Sequence, residues 1–540
     1  MHLTERFPES CYSLYLVQPT NVFDSSPTTG IGGESTRVSL GPMDKEIFEC
    51  LNRPFSFYTE QLEEFLHQWE AFCPVLTRKQ LAEAVYGTVR KVQELASTGD
   101  ADASSLCILF SIMSINLVGL GTRNRPNAST GFAGRYISLA TRLQDSVIAR
   151  GDVSSLQALV LFAFYHQLTG QSLSLIGLNG VMVRIAQSLG LHRHARRFRM
   201  TVAEIELRKR IWWWIYIFDR ITAIMHGLPP LISDADVDND MPSDCRLDDL
   251  NVEQLDHPLP GQTTTVFFFV HYATMGKKLS SILDLLYTTT ERRQGAVKIE
   301  RLDGDIRVWS QNLGVGDVGC EAHREHEIST PDGRNKMLPW LRLLINFSII
   351  LIHRPGLTFA DNTPEFANSL GTCTKASTDI LHLISAPEMA QIPDSFCPVG
   401  PGLVFQCALM HIYCQCKIKT LDLVGLPSLH DSIGIISKAV DILGKYYQNP
   451  QLFISGNLAH GDFYMESISI TIKVLKDLMI SLHHTKSQLP MLPWSTDIPL
   501  PDTSHHSITT SSLYDLNYMT AMDWAQDISD TFGHLPDLGG

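Results

Sequence analysis

No two of the eleven cysteines stand three residues apart; they fall at 11, 50, 73, 107, 245, 320, 373, 397, 407, 414 and 416, so C-x-x-C occurs nowhere. That spacing excludes zinc ribbons, common zinc fingers and thioredoxin-type redox sites. An odd number of thiols scattered through apolar stretches reads as reduced cysteine inside a cell. Charge is also scarce, at 19 % of residues against about 25 % in an average globular chain. With 44 % apolar residues the chain has material for a large core, which excludes disorder throughout. Acids outnumber bases, 57 to 43, for a net charge of −14, and this argues against a basic nucleic-acid surface over the whole chain. Long hydrophobic runs are missing: the most apolar, Ile211 to Phe218, is flanked at once by Arg210 and Asp219, and a membrane span needs about 20 residues. Met1 to Arg6 has neither the positive nor the apolar region of a signal peptide. Walker A, H-E-x-x-H and G-x-S-x-G patterns are absent. Nothing argues for an enzyme, and no catalytic, cofactor-binding or metal-ligating residue is singled out.

What is present is helical periodicity. Residues 1–54 include a Gly/Ser/Thr-rich stretch at 25–36 and read as a flexible tail. From 55 to 287 the apolar spacing is that of helices. Leu62, Phe65, Leu66 and Trp69 recur at i, i+3, i+4 and i+7 before Pro74, and Leu178, Val181, Met182, Ile185, Ala186 and Leu189 repeat the stripe up to Gly190. Residues 288–336 are polar, with a Thr-Pro-Asp-Gly turn at 330–333, and predict a linker or long loop. Helical patterns resume over 337–352, 364–385, 402–425, 431–447 and 465–482, placing the C-terminal helices of the same domain within 337–486. No sustained strand pattern and no fixed repeat occurs. The predicted class is all-α, a large multi-helix domain with disordered tails at both ends.

The best-specified helix starts at Thr201. Thr201 and Glu204 form an S/T-x-x-E capping box, and Glu204–Arg208 and Glu206–Arg210 are acid-before-base pairs at i, i+4. Leu207, Ile211, Trp214, Ile215, Phe218 and Met225 share a face, and Pro229-Pro230 ends the run. Trp212, Trp213 and Trp214 sweep about 200° of arc at ~100° per residue, so neighbours should meet this helix on more than one side.

Several constellations combine residue types capable of chemistry. Gly314, Gly316 and Gly319 spell G-x-G-x-x-G, but no βαβ unit surrounds them, and the motif needs a strand before and a helix after. They read as a glycine loop. Cys407, His411 and Cys414 lie at i, i+4 and i+7, a spacing that could ligate zinc, yet Val404 and Ala408 share the face and packed core thiols are the expectation. The basic clusters Arg193–Arg199 and Arg208–Arg210 read either as a nuclear-import or phosphate-binding patch or as a solvated loop and first helical turn. The stretch 487–540 contains no Lys or Arg, and from Ser511 onward five Asp alternate with aromatic and aliphatic residues. That is the composition of acidic activation segments and, equally, of a frayed acidic terminus.

One segment carries a family resemblance. Arg208, Lys209 and Arg210 precede Trp212-Trp213, Tyr216 and Asp219-Arg220. A Gly227-Leu228-Pro229 turn and an acidic loop from Asp234 to Asp240 then close on Pro242. This order resembles the signature helix and loop of the fungal-specific transcription factor domain, the middle homology region of fungal zinc-cluster regulators. Upstream, Leu189-Gly190-Leu191-His192-Arg193 resembles the family's preceding helix end, residues 57–76 resemble its opening segment, and His353-Arg354-Pro355 resembles a later helix end. The resemblance covers about residues 55–360. Many family members have Arg where this chain has Leu228. The family's DNA reader, six cysteines binding two zinc ions through two C-x2-C pairs, has no counterpart here, since only Cys11 and Cys50 precede the helical domain.

The resemblance implies a nuclear transcription regulator controlling a metabolic or secondary-metabolite gene cluster, with the 487–540 segment recruiting transcription machinery. It further implies a metabolite inducer, dimerisation, and DNA contact made directly or through a zinc-cluster partner. Zinc, as two ions, enters only with an N-terminal cluster encoded upstream of Met1; the chain itself is expected to hold no cofactor. The alternative is an adaptor that does not bind DNA but dimerises with a zinc-cluster regulator and tunes it. Within the signature, Asp219 and Arg220 are expected to hold the central helix against the acidic loop.

Overall fold

The computed structural model describes residues 45–95, 102–121, 130–169, 172–194, 200–245, 264, 266–288, 294–313, 334–386, 389, 400–420, 426–448, 468–469 and 471–480. No strand occurs among them, and the all-α class holds. In chain order the helices are α1 (Lys45–Leu51), α2 (Phe55–Trp69), α3 (Arg78–Leu95), α4 (Ala103–Gly121), α5 (Thr130–Arg150), α6 (Val153–Leu168) and α7 (Ser172–Ser188). They continue as α8 (Val202–His226), α9 (Val266–Leu286), α10 (Gly295–Asn312), α11 (Arg334–His353), α12 (Pro364–Ile384), α13 (Pro401–Thr420) and α14 (Leu429–Gln448). A further helical stretch covers 471–480. No helix of the described residues is long and apolar enough to cross a membrane.

Sequence chemistry sets the ends and the faces. Asp152 caps α6 by accepting from the Ser155 amide at 2.8 Å, and Thr363 caps α12 ahead of Pro364 in its first turn, where the missing proline N–H costs nothing. Every residue of α6 from Ser155 to Leu168 is buried. A helix apolar on all sides must be surrounded, and α6 packs against α4, α5, α7 and α8. Helix α14 keeps one wet face and packs on α13 and α12. The later helices stack in sequence, α11 on α12 and α12 on α13, while α9 touches both α8 and α11. Close approach of α9 to α8 uses Gly276, where an added Cβ would stand 3.0 Å from the Ile217 side chain.

Two boundaries differ from expectation. The stretch 288–336, expected as a linker or long loop, contains α10, and α11 begins at Arg334. Helix α10 buries only Ile299, Leu302 and Ile306, a narrow i, i+3, i+7 stripe lost among exposed Glu300, Arg301, Asp305 and Arg307. Lys298 donates to the Leu285 carbonyl at 3.3 Å and Asp303 reaches His353 at the end of α11, so long-range contacts, invisible locally, complete the helix. Likewise α1 falls inside the segment 1–54 read as a tail, with Ile47, Cys50 and Leu51 buried in the core. The glycine motif at 314–319, residues 195–199 of the basic cluster and the acidic 487–540 segment lie outside the described residues.

Candidate functional site: the central helix and its acidic loop

Helix α8 begins with both halves of its capping box in place. The Glu204 amide donates to Thr201 Oγ1 at 3.3 Å, and the Thr201 amide donates to Glu204 Oε2 at 2.9 Å. These bonds from the Thr201 backbone and side chain hold the Glu204 carboxyl below its ordinary range. The helix stops at Gly227, whose φ of 63° is left-handed, a conformation open to glycine at no steric cost. Between those ends Trp212, Trp213 and Trp214 are all buried, and α8 contacts α6, α7 and α9, as the arc of the tryptophans requires.

The chain then folds back over α8 as the loop 228–245, and buried polar groups fix it there. Asp219 and Arg220 are each 1 % exposed. The Asp219 carboxylate accepts from Arg220 Nη1 at 2.6 Å, from Asn179 Nδ2 at 2.8 Å, and from the Leu231 and Ile232 amides at 3.1 Å. Arg220 Nη2 donates to the Ile232 carbonyl and to Asp234 Oδ1, each at 2.8 Å, and the guanidinium lies 4.3 Å from the Tyr216 ring centre. Tyr216 donates its hydroxyl to the same Asp234 oxygen at 2.7 Å; burial pushes this phenol's pKa up. Arg220 and Asp219 therefore read opposite polarities of one backbone turn: the acid takes its amides and the base takes its carbonyl.

A second buried pair holds the far end of the loop. Arg210 Nε meets Glu206 Oε1 at 3.1 Å with both side chains at most 2 % exposed, the Ser243 amide donates to the same Glu206 oxygen at 2.9 Å, and Arg210 Nη2 donates to the Cys245 carbonyl. Trp213 Nε1 donates to the Asp240 carbonyl at 2.7 Å, and Pro242 is buried. The i, i+4 spacing of Glu206 and Arg210 is legible in sequence, but its burial is not. Arg208 donates to the Leu189 carbonyl at 2.5 Å, and Lys209 Nζ lies 3.9 Å from Asp240 Oδ2. All three members of the basic triplet are thus engaged within the chain.

The helix end at 189–193 closes the arrangement. Gly190 takes φ 72°, Leu191 donates back to the Ala186 carbonyl at 2.9 Å and is buried, and the His192 ring tilts against Trp212 at 5.8 Å. Burial, followed by the Arg193 charge, lowers the His192 pKa. The acidic loop is tied to this corner by backbone and side chain alike: Asp238 N to His192 O at 3.2 Å, Asn239 Nδ2 to Leu191 O at 2.8 Å, and His194 Nε2 to Asp240 Oδ2 at 2.8 Å. Arg193 stands 3.9 Å from Asp238. Pro229 lies at the exposed tip, beside Leu228 and Leu231, which are 41 % and 51 % exposed.

His353, Arg354 and Pro355 form a separate cluster. His353 Nδ1 lies 3.4 Å from Ser369 Oγ on α12, and Nε2 lies 3.4 Å from Asp303 Oδ1 on α10. Burial works against the Asp303 charge, but His353 beside it and the hydrogen bond from Arg307 outweigh that cost and hold the carboxyl low. Arg354 and Pro355 open a 3-10 turn in which Gly356 passes so near α12 that an added Cβ would sit 2.2 Å from Ser369 Oγ. Asn179, Asp303 and Ser369, like the Cys245 carbonyl, carry no local signal; they meet their partners only across the fold.

Cys407, His411 and Cys414 are all buried on α13. His411 Nε2 lies 3.0 Å from Thr378 Oγ1 and Nδ1 3.4 Å from Ser432 Oγ, so both ring nitrogens face hydroxyls. Burial pushes the Cys407 and Cys414 thiols up, to about 12 and about 11, which opposes the thiolate that a metal would need. No group of three His, Cys, Asp or Glu arranged to hold a metal occurs among the described residues.

The geometry defines an all-helical domain whose most elaborate polar network positions a loop instead of a reacting atom. Residues 62–311 match the fungal specific transcription factor domain; that stretch of the chain is such a domain, as the signature helix implied. Among curated relatives, the chain is 24 % identical over 302 residues to the transcriptional activator protein acu-15 of Neurospora crassa, covering 56 % of this chain and 32 % of that one. It is 22 % identical to the thiamine repressible genes regulatory protein thi1 of Schizosaccharomyces pombe, over 54 % of this chain and 37 % of that protein. It is 27 % identical to the Zn(2)-C6 fungal-type transcription factor pigI of Monascus ruber, over 37 % and 25 % of the two chains. The matched stretches span between 25 % and 37 % of the length of these relatives.

Proposed function

We propose that this chain is a nuclear transcription regulator of a fungus, in which the helical domain is the regulatory body and the acidic segment 487–540 is the output. The observation that carries this reading is the match of residues 62–311 to the fungal specific transcription factor domain, supported by relatives that are themselves named as transcription regulators. Control of a metabolic or secondary-metabolite gene cluster, response to a metabolite inducer and action as a dimer extend it. Deleting the gene tests the reading. The expected result is a coordinated change in transcripts of a limited gene set; an unchanged transcript profile under all inducing conditions contradicts it. Residues 487–540 fused to an unrelated DNA-binding domain should activate a reporter, and no activation would remove the activator role from that segment.

In a second reading the helical domain works beside a separate zinc-cluster regulator. Here the chain reaches promoters by pairing with a zinc-cluster regulator and tunes it without touching DNA. Promoter occupancy that vanishes when the partner is deleted supports this adaptor; occupancy that persists supports direct binding.

A further inference from the structure

Leu228 and Leu231 are exposed, with exposed Pro229 between them, at the tip of the loop that α8 holds. Leucines exposed singly need no explanation, but these two share one stiff stem. Leu228 and Pro229 each precede a proline, which biases both toward extended backbone. The Leu228 amide donates to the Ala223 carbonyl at 2.9 Å, and Asp219 takes the Leu231 and Ile232 amides at 3.1 Å. A tip anchored on both sides is ordered before it meets a partner, so docking it costs little entropy. Beyond the tip, Asp234, Asp236, Asp238 and Asp240 are all exposed. The surface is an apolar knob bordered by acids, and its complement is an apolar recess bordered by bases.

The same chain carries such a recess. A groove of about 400 Å³ runs between the last turns of α14 and the stretch 471–480, within the range of about 300–1,000 Å³ that accepts bulky groups. Val440 and Ile472 are half-buried in it, Tyr447 is 46 % exposed, and Gly444 leaves open space where a Cβ would stand. Lys445 and Lys476 are exposed on its rim, against Asp441 as the one acid among the lining residues. Knob and groove belong to different elements, since α8 packs on α6, α7 and α9 while α14 packs on α12 and α13. Both stay exposed in the single chain, so the knob of one copy is available to the groove of another.

We propose that copies of this chain associate through this pair of surfaces, with Leu228 and Leu231 of one copy against Val440, Tyr447 and Ile472 of the next and Asp236 toward Lys445 and Lys476. Two different patches meet, so the contact closes into a pair when it is made twice about a twofold axis and otherwise propagates. It gives the dimer reading above its surfaces and rests on that reading.

Sedimentation of the full-length protein over a range of concentrations tests it. The wild type should associate. A knob variant, Leu228→Ser with Leu231→Ser, and a groove variant, Lys445→Glu with Lys476→Glu, should each keep the wild-type melting temperature and associate at least about tenfold more weakly. The decisive sample mixes the two variants. The knob variant keeps an intact groove and the groove variant an intact knob, so together they should form pairs that neither forms alone. A wild type that stays single at every concentration would overturn both this contact and the dimer reading. Association unaffected by either variant, or a mixture no more associated than its components, would overturn the contact and leave the dimer reading standing.

Discussion

At the scale of single residues, the decisive feature is a charge placed where it can be satisfied only by one loop conformation. Buried ion pairs are often no more stabilising than apolar packing, yet breaking one by removing a partner costs about 3–5 kcal/mol, because the other charge stays buried and alone. Asp219 illustrates the point, since it faces Arg220, Asn179 and two loop amides at once. Asp219→Asn keeps the shape but removes the negative charge beneath Arg220. We expect a loss of about 3–5 kcal/mol in chemical denaturation, with loop 228–245 exchanging its amides faster while α4 and α5 keep theirs. A variant as stable as the wild type would show that the pair does not hold the loop. Partly exposed Arg193, 3.9 Å from Asp238, is a contrasting case: Arg193→Ala should change stability by less than about 1 kcal/mol.

At the scale of elements, local signals and long-range contacts had unequal shares. Helix α8 was legible because its cap, its i, i+4 pairs and its tryptophans all lie within one continuous segment, and each points to the same helix. The role of Asp219 and Arg220 came from the family resemblance, while Asn179, forty positions away, gave no hint of joining them. Helix α10 was missed for the complementary reason. Its three buried residues make too narrow a stripe to stand out from six charged neighbours, and its stability rests on α9, α11 and the turn at Arg354–Thr358. The two readings of 288–336 differ measurably. Ile306→Ala should cost about 2–5 kcal/mol, as truncation in a packed core does, whereas Val308→Ala, at a residue 59 % exposed, should fall within about 0.5 kcal/mol of wild type. Equal, negligible effects at both positions would restore the linker.

At the scale of the whole molecule, the buried polar groups set a dependence on pH as well as a shape. Burial lowers the His411 pKa to about 4, while an unfolded imidazole titrates near 6.5. Above about pH 6.5 both states are neutral and His411 contributes no slope. Between about 6.5 and 4 the unfolded chain takes the proton and the folded one does not, so stability falls by up to ~1.4 kcal/mol per pH unit. His411→Gln should flatten that part of the curve and leave the slope above pH 6.5 untouched. Burial lowers His192, His271 and His382 as well, so part of the acid-side slope should remain. An unchanged slope would show that His411 titrates normally in the fold.

The same buried network explains why a scarcity of charge and a shortage of metal-site spacing suit this domain: its polar groups are spent on holding loops, and its thiols on packing. The proposed regulation of transcription is tested most directly by chromatin occupancy of the tagged full-length protein in its own cells. Enrichment is expected at promoters of the genes whose transcripts change on deletion. Absence of promoter enrichment under every inducing condition, with the protein present at normal levels, would contradict it.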